Sequence, residues 1–272
     1  MNNVNKTLYI PLYGKAYVSK KGIILHDKKA EEIWDAEGFE LKGKAKSKRL
    51  AYYMGMRSEV FDQWLKKQMD LDSDAVIIHI GCGMDSRVLR VGTGQHAWYD
   101  IDFPDVIRER KRYYEESGEY HMIESDARNN DWMSNLPKNK NAIIVMEGVS
   151  MYFQTEELTR LLKQLTGYFQ NVSVLMDCYT VFAAKASKYK NPVNDVGVTV
   201  LYGIDDPKIL EKDTGLAYLK EHDLTPDALI DELSGAEKVM FKKLFAGKLA
   251  KKIYRLYEYK SRQTTRSDDS VK

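Results

Sequence analysis

The residues able to do chemistry in this chain stand where apolar runs stop. Ala75–Ile80 runs into Gly81-Cys82-Gly83, Ala97–Ile101 into Asp102, Tyr120–Glu124 into Ser125-Asp126-Ala127, and Ala142–Met146 into Glu147-Gly148. Glycines without side chains let a backbone turn sharply and let a ligand come close. A carboxylate about twenty residues after the first glycine can accept both hydroxyls of a ribose. Asp126, at the end of a third strand, can accept an adenine amino group, or it can be an aspartate that caps a turn. The glycines by themselves also suit a tight strand–helix turn that holds no ligand.

These residues need a parallel sheet to bring them together. Ala75–Ile80 is short, β-branched and free of turn residues, as a strand buried on both faces must be. A helical stretch with Arg87 and Arg90 polar and Val88, Leu89 and Val91 apolar follows the glycine turn, and a strand over Ala97–Ile101 comes next. Strand, glycine turn, helix, strand and carboxylate make the first half of a doubly wound α/β sheet. Pro104 opens a charged helix over DVIRERKRYYEE, Thr155 caps a helix running to Phe169, and Val172–Met176 forms a strand closing on Asp177. In an open parallel sheet the carboxyl ends of the strands lie along one edge, so Gly81, Asp102, Asp126 and Glu147 converge on one crevice.

Ahead of the sheet, residues 1–70 read as a helical cap. Asp27 caps a helix through Ala30, Ile33 and Trp34, and Leu50–Met69 is a longer helix with Tyr53, Met56, Val60, Phe61, Trp64, Leu65 and Gln68 on one face. Arg57 lies near that face, where it either enters a pocket or pairs with Glu59 or Asp62. After the core, the pattern gives a helix over Val181–Tyr189 broken by Asn191-Pro192, a turn at Asp206-Pro207, a strand over Leu216–Glu221, a helix from Pro226 to Leu233 and a last strand over Ile253–Tyr259. The NPVN stretch carries no aromatic residue to stack on a flipped base. No linker or repeat divides the chain, so it reads as a single domain over 1–260, with a cofactor-binding core at 75–178, lid helices and final strands at 179–260 and a polar, disordered tail at 261–272.

Composition narrows the class of function. The 272 residues carry 42 basic and 40 acidic side chains for a net charge of +2, which argues against a dedicated nucleic-acid binder. The basic connector Gly43–Arg49 has no aromatic residues interleaved for base stacking and reads as a solvated loop. Cys82 and Cys178 read as reduced thiols, and no run approaches the roughly 18 apolar residues that cross a bilayer. The N-terminus has too little apolar length for a signal peptide, so the expected location is the cytoplasm.

A nicotinamide-dependent dehydrogenase would account for Gly81, Gly83 and Asp102, but its fingerprint has a third glycine where this chain has Ser86. It also gives no task to Asp126 or Glu147. A ligand with ribose, adenine and a charged amino-acid tail uses them all, and S-adenosylmethionine is such a ligand.

The segments GCGMDSR, YDIDFPDVI, SDAR and MEGVSMYF, in this order and spacing, resemble the leucine carboxyl methyltransferase family. Its bacterial branch includes polyketide carboxyl O-methyltransferases of tetracenomycin type. The resemblance runs from Thr7 to Tyr259 and is specific between Arg57 and Phe153. Like the family, the chain has no acid before the glycine turn; His79-Ile80 stands there, with His79 read as a strand residue. The resemblance implies a Rossmann-like methyltransferase fold with a mostly parallel seven-stranded sheet, helical lid inserts, and S-adenosylmethionine as methyl donor, leaving as S-adenosylhomocysteine, with no metal. It further implies that Arg57 binds the carboxylate of the donor's methionine moiety, with Lys15 of LYGKA as a second contact, and that the Gly81-Cys82-Gly83 turn lies beside that moiety. Asp102 would hold the ribose hydroxyls, Asp126 and Ala127 would border the adenine, and Glu147 would face the ammonium. Relatives often carry leucine at the Ala127 position, which changes the packing there but not the backbone donor.

The expected activity is methyl ester formation on the carboxylate of a small molecule, with no nucleic-acid or membrane partner. A carboxylate is ionised at neutral pH and is itself the nucleophile, so no catalytic base is assigned. Alignment and exclusion of water then carry the rate. Tyr152 is the candidate on the acceptor side. Transfer to a hydroxyl, or binding of the donor without turnover, are the alternatives. Protein C-termini are also acceptors in this family, and the oligomeric state is not legible in the sequence.

Overall fold

The computed structural model describes residues 8–38, 41, 43–187 and 200–262. Asn191-Pro192, the NPVN stretch and the tail beyond Arg262 lie outside the described residues. Helices α1 (Tyr9–Lys20), α2 (Lys28–Glu37) and α3 (Lys48–Leu71) come first. The core follows as β1 (Val76–Ile80), α4 (Arg87–Val91), β2 (Trp98–Asp102), α5 (Pro104–Arg110), β3 (Tyr120–Glu124), β4 (Ala142–Met146), α6 (Thr155–Tyr168) and β5 (Val172–Tyr179). Then come α7 (Val181–Ser187), β6 (Leu216–His222), the short α8 (Asp227–Ile230), α9 (Gly235–Phe245), α10 (Gly247–Ala250) and β7 (Tyr254–Ser261).

The strands form one sheet in the order β3-β2-β1-β4-β5-β7-β6. Strands β1 to β5 run parallel, and β7 pairs antiparallel with both β5 and β6. The order reverses between β1 and β4, so the crevice outside the carboxyl ends of these two strands is the switch point where such sheets bind ligands. The glycine turn and Glu147 stand at those two ends.

Both faces of the central strands are covered, which explains their unbroken apolar runs. Ile77, Ile143 and Val145 pack with Leu12, Met56, Phe61 and Leu65 from α1 and α3. The alternate residues Ile78, Ile80, Ile144 and Met146 pack with Leu158, Leu161 and Leu165 of α6. Each such side chain stabilises the fold by about 1.5–3 kcal/mol on leaving water, before the entropy of ordering it is counted. Among the described residues, no helix is long and apolar enough to cross a membrane.

Several element ends differ from the sequence reading, each for a local reason. Asp27 does cap α2, accepting the Ala30 N–H at 2.9 Å. At α6 the cap is Gln154, not Thr155: the Gln154 N–H donates to Glu157 at 2.8 Å, and Thr155 is the first helical residue. The charged helix after Pro104 stops at Arg110, whose guanidinium turns inward to Asp100 and the Gly83 carbonyl. Strand β5 continues past Asp177 to Tyr179 because it pairs with β7 as far as Tyr254, and β7 reaches Ser261, which pairs with Leu216 of β6. The Ser261 hydroxyl also accepts the Val172 N–H at 2.8 Å, so Ser261 belongs to the sheet and not to a tail.

Candidate active site

The turn after β1 has Gly81 at φ +69° and Gly83 at φ +53°, a region that L side chains rarely adopt. At Gly81 space is as restrictive as conformation: a Cβ there would lie 2.6 Å from Val149 Cγ2. The Gly83 N–H donates to Asp102 Oδ2 at 2.8 Å, and the Phe103 N–H donates to Oδ1 at 2.8 Å. The two features separated in sequence thus meet at the switch point. Burial lifts the Asp102 carboxyl to about 6 despite these donors.

Asp100, two strand positions before Asp102 and on the same face of β2, has a different task. It is fully buried against Arg110 Nη2 at 2.5 Å and accepts the Tyr120 hydroxyl at 2.7 Å. Burial opposes its charge, yet Arg110 and His79 hold its carboxyl at about 2. Arg110 in turn donates to the Gly83 carbonyl at 3.0 Å, and Tyr114 donates to the Met84 carbonyl at 3.1 Å. Asp100 therefore braces the turn indirectly, through Arg110 and the Gly83 carbonyl, while Asp102 holds it directly through the Gly83 amide.

Arg57 enters the interior from α3 and does not pair with Glu59 or Asp62. Its Nε donates to Glu147 at 3.0 Å, and its Nη1 donates to Asp177 at 2.9 Å and to the Tyr254 hydroxyl at 3.3 Å. Glu147 also accepts from the Ser58 hydroxyl at 3.0 Å and from Arg87 Nη2. Burial alone would raise the Glu147 carboxyl; Arg57 and Arg87 overcome it and hold the group at about 2. Lys15, from α1, pairs with Asp85 at 3.0 Å. Against the same cost of burial, Arg90, Lys15 and Arg87 keep Asp85 well below the ordinary carboxylate range. Arg87 continues to Asp62 at 2.7 Å, and Arg90 reaches Asp62 and Asp27 at 2.6 Å each. Buried charges persist only when paired and hydrogen-bonded, and this network meets that condition by sharing carboxylates between cations.

Gly148 explains its place after Glu147. It has φ +71°, its N–H donates to Asp177 Oδ1 at 2.7 Å, and a Cβ there would stand 3.4 Å from Arg57 Nη2. The left-handed backbone is what favours glycine here, with the Arg57 guanidinium packed within van der Waals reach of it.

A cavity of about 290 Å³ opens over these groups. It brings together the sequence candidates Lys15, Arg57, Cys82, Gly83, Glu147 and Tyr152. Gly81 sits directly behind Cys82, whose thiol burial pushes well above its ordinary range. Asp102 is outside the cavity wall and joins it through the Gly83 N–H. Asp126 and Ala127 lie farther along the sheet edge, beyond β3. Asp126 accepts Arg128 Nε at 2.9 Å and the Arg128 N–H at 3.0 Å; partial burial opposes its charge, but Arg128 holds the carboxyl below its ordinary value. His79 is a buried strand residue, as expected, with Nε2 3.1 Å from Arg87 Nη1 and burial keeping the ring neutral.

Sequence reasoning missed Asp62, Asp85, Arg87, Arg90, Asp177 and Tyr254. Asp85 and Arg87 were signalled inside GCGMDSR, where charges follow a glycine turn directly. Arg87 reads as a polar helix residue only when the turn is not considered with it.

The leucine carboxyl methyltransferase family matches residues 6–166, more than half of the chain. The chain belongs to this family. The chain is thus an S-adenosylmethionine-dependent O-methyltransferase, and membership sets the dehydrogenase reading aside. The chain is 27% identical over 244 residues to the tetracenomycin polyketide synthesis O-methyltransferase TcmP of Streptomyces glaucescens, covering 88% of this chain and 89% of that protein. It is 32% identical over 162 residues to the S-adenosyl-L-methionine-dependent methyltransferase dpfgK of Gibberella zeae, covering 53% of each. Among solved structures, magnesium protoporphyrin IX methyltransferase (ChlM) from Synechocystis PCC 6803 with bound SAH shares the fold, with a TM-score of 0.52 at 12% identity over 86% of this chain and 93% of that one.

Proposed function

We propose that this methyltransferase converts the carboxylate of a small molecule into its methyl ester. One observation carries the reading: the acids lining the cavity are committed to buried cations. Glu147 is held at about 2 and Asp85 well below the carboxylate range, so neither takes a proton at neutral pH. A phenol or alcohol acceptor needs a base near its oxygen, whereas a carboxylate arrives ionised.

The donor set fits S-adenosylmethionine by its chemistry. A methionine end presents a carboxylate and an ammonium, and the cavity offers Lys15 and Arg57 for the first and Glu147 for the second. The glycine turn leaves backbone free to approach, Asp102 retains lone pairs for ribose hydroxyls, and Asp126 with Ala127 stands at the next strand end for the adenine. The bound donor supplies an electrophilic methyl group on a sulfonium. The chain's own work is to fix the approach and exclude water. The outer cavity wall, with Leu50, Met54, Leu201, Phe245 and Ile253, is apolar. Such a wall costs a carboxylate and a sulfonium more than it costs the transition state, in which both charges are fading. The named role of the relative TcmP in polyketide synthesis supports a small-molecule acceptor.

The test is methyl transfer from labelled S-adenosylmethionine to a panel of small carboxylic acids, followed by mild alkali. Label released as methanol supports an ester. Label transferred only to hydroxyl compounds and stable to alkali would overturn the reading.

A further inference from the structure

Tyr53 lies on α3 one helical turn before Arg57, so the two side chains share a face of the helix. Its ring lines the same cavity as Arg57 and Glu147. It packs edge-on to Tyr254, with centroids 6.1 Å apart at 71°, and Tyr254 packs against Tyr179 at 4.6 Å. These rings share the cavity wall with Leu244, Phe245 and Ile253 from the segments after β5. The Tyr53 hydroxyl is buried and has no hydrogen-bond partner among the described residues. Its neighbours differ in this respect: Tyr254 accepts from Arg57, and Tyr52, the next residue on the helix, donates to Glu237 at 2.5 Å.

Buried hydroxyls in folded proteins are nearly always satisfied, because losing water without gaining a partner is costly. An orphaned hydroxyl on a cavity wall has an explanation when the cavity's ligand brings the acceptor atom. Lys15 and Arg57 already suit the carboxylate of the methyl donor, so the oxygen for Tyr53 belongs to the other substrate. We propose that the Tyr53 hydroxyl binds the methyl acceptor, donating to one carboxylate oxygen while the other is methylated. This assignment rests on the carboxylate reading of the reaction.

The chemistry of a phenol suits the task. Burial pushes the Tyr53 phenol far above neutral pH, so it remains a neutral donor throughout the working range. A lysine or arginine in its place would stabilise the charged acceptor before reaction and lose that interaction as the negative charge disappears, which raises the barrier. One neutral hydrogen bond orients the carboxylate at a smaller penalty. No proton leaves Tyr53 during the transfer.

The test compares the wild type with Tyr53→Phe, using 2-naphthoate as acceptor probe because the wall is aromatic. The variant should show a KM for 2-naphthoate at least tenfold higher, with S-adenosylhomocysteine affinity within twofold of wild type and no fall in thermal midpoint. A merely structural role would move stability or cofactor affinity and not the acceptor KM alone. If the wild type makes an alkali-labile ester and Tyr53→Phe does so with unchanged KM, the Tyr53 assignment is overturned and the carboxylate reading stands. If the wild type methylates 2-naphthol to an alkali-stable ether and leaves 2-naphthoate untouched, the carboxylate reading fails and takes this assignment with it.

Discussion

Protonating Asp102 should weaken cofactor binding within a defined pH window. In the ligand-free protein the carboxyl titrates at about 6 because burial disfavours its charge, even with the Gly83 and Phe103 amides donating to it. Two ribose hydroxyls adding donors to the same oxygens would favour the ionised form further, so binding lowers this value. The sign follows: affinity is complete above pH 6 and falls as the pH drops through it. From pH 7 to pH 5 the ionised fraction falls about tenfold, which predicts a loss of about 1.4 kcal/mol in binding free energy. Asp177 also titrates at about 6, lifted by burial and by Glu147, so a control must isolate Asp102. Asp102→Asn is that control: it should lose about 1–3 kcal/mol of affinity at pH 7 and much of the pH dependence with it. Calorimetric titration with S-adenosylhomocysteine between pH 5 and 8 reads both quantities. A flat wild-type profile, or an Asn variant with the full slope, would refute the reasoning.

Three further outcomes follow from the same geometry. Glu147→Ala leaves the Arg57 and Arg87 guanidiniums buried without their shared carboxylate and should destabilise the fold by about 3–5 kcal/mol in urea denaturation; a loss below 1 kcal/mol would mean that water replaces the carboxylate. Arg57→Lys keeps the charge but not the two-sided reach to Glu147 and Asp177, so it should weaken S-adenosylhomocysteine more than 5′-methylthioadenosine, which lacks the amino-acid carboxylate; equal losses would remove Arg57 from the cofactor contact. Gly148→Ala combines φ +71° with a Cβ 3.4 Å from the guanidinium, and should cost about 1–3 kcal/mol of stability while lowering methyl transfer; wild-type activity would show that Arg57 has room to shift.

The sheet was legible because its central strands are buried on both sides and carry apolar runs bounded by glycine or acid, as Ala142–Met146 does before Glu147. Element ends were less legible, because they depend on tertiary pairing. Arg110 ends α5 by turning toward Asp100, and no local pattern distinguishes it from the solvated arginines on either side. The site divides in the same way. Gly81, Asp102 and Glu147 stand at strand ends, where topology alone assigns them a place. Asp62, Arg90 and Asp177 depend on which helix face meets which strand end, and that information is spread over residues far apart in the chain.

The buried network also shows why the site needs more charge than its ligand does. Without ligand, Lys15 is held by Asp85, and Arg57 by Glu147 and Asp177. On the proposed reading an incoming methionine moiety would exchange partners with existing pairs and would not meet bare charges. Exchange requires that each displaced group keep a second partner, and the network provides it: Glu147 retains Arg87 and Ser58, and Asp85 retains Arg90 and Arg87. The connected cations Lys15, Arg57, Arg87 and Arg90 face one more carboxylate than their own number, in Asp27, Asp62, Asp85, Glu147 and Asp177. Asp177, paired among the described residues with Arg57, is lifted to about 6 by burial and by Glu147. Among the described residues the network is thus one positive charge short, the formal charge that the proposed donor, with a sulfonium, an ammonium and a carboxylate, would bring. On that reading transfer would remove the sulfonium charge, and the neutral product would match the site less well than the donor.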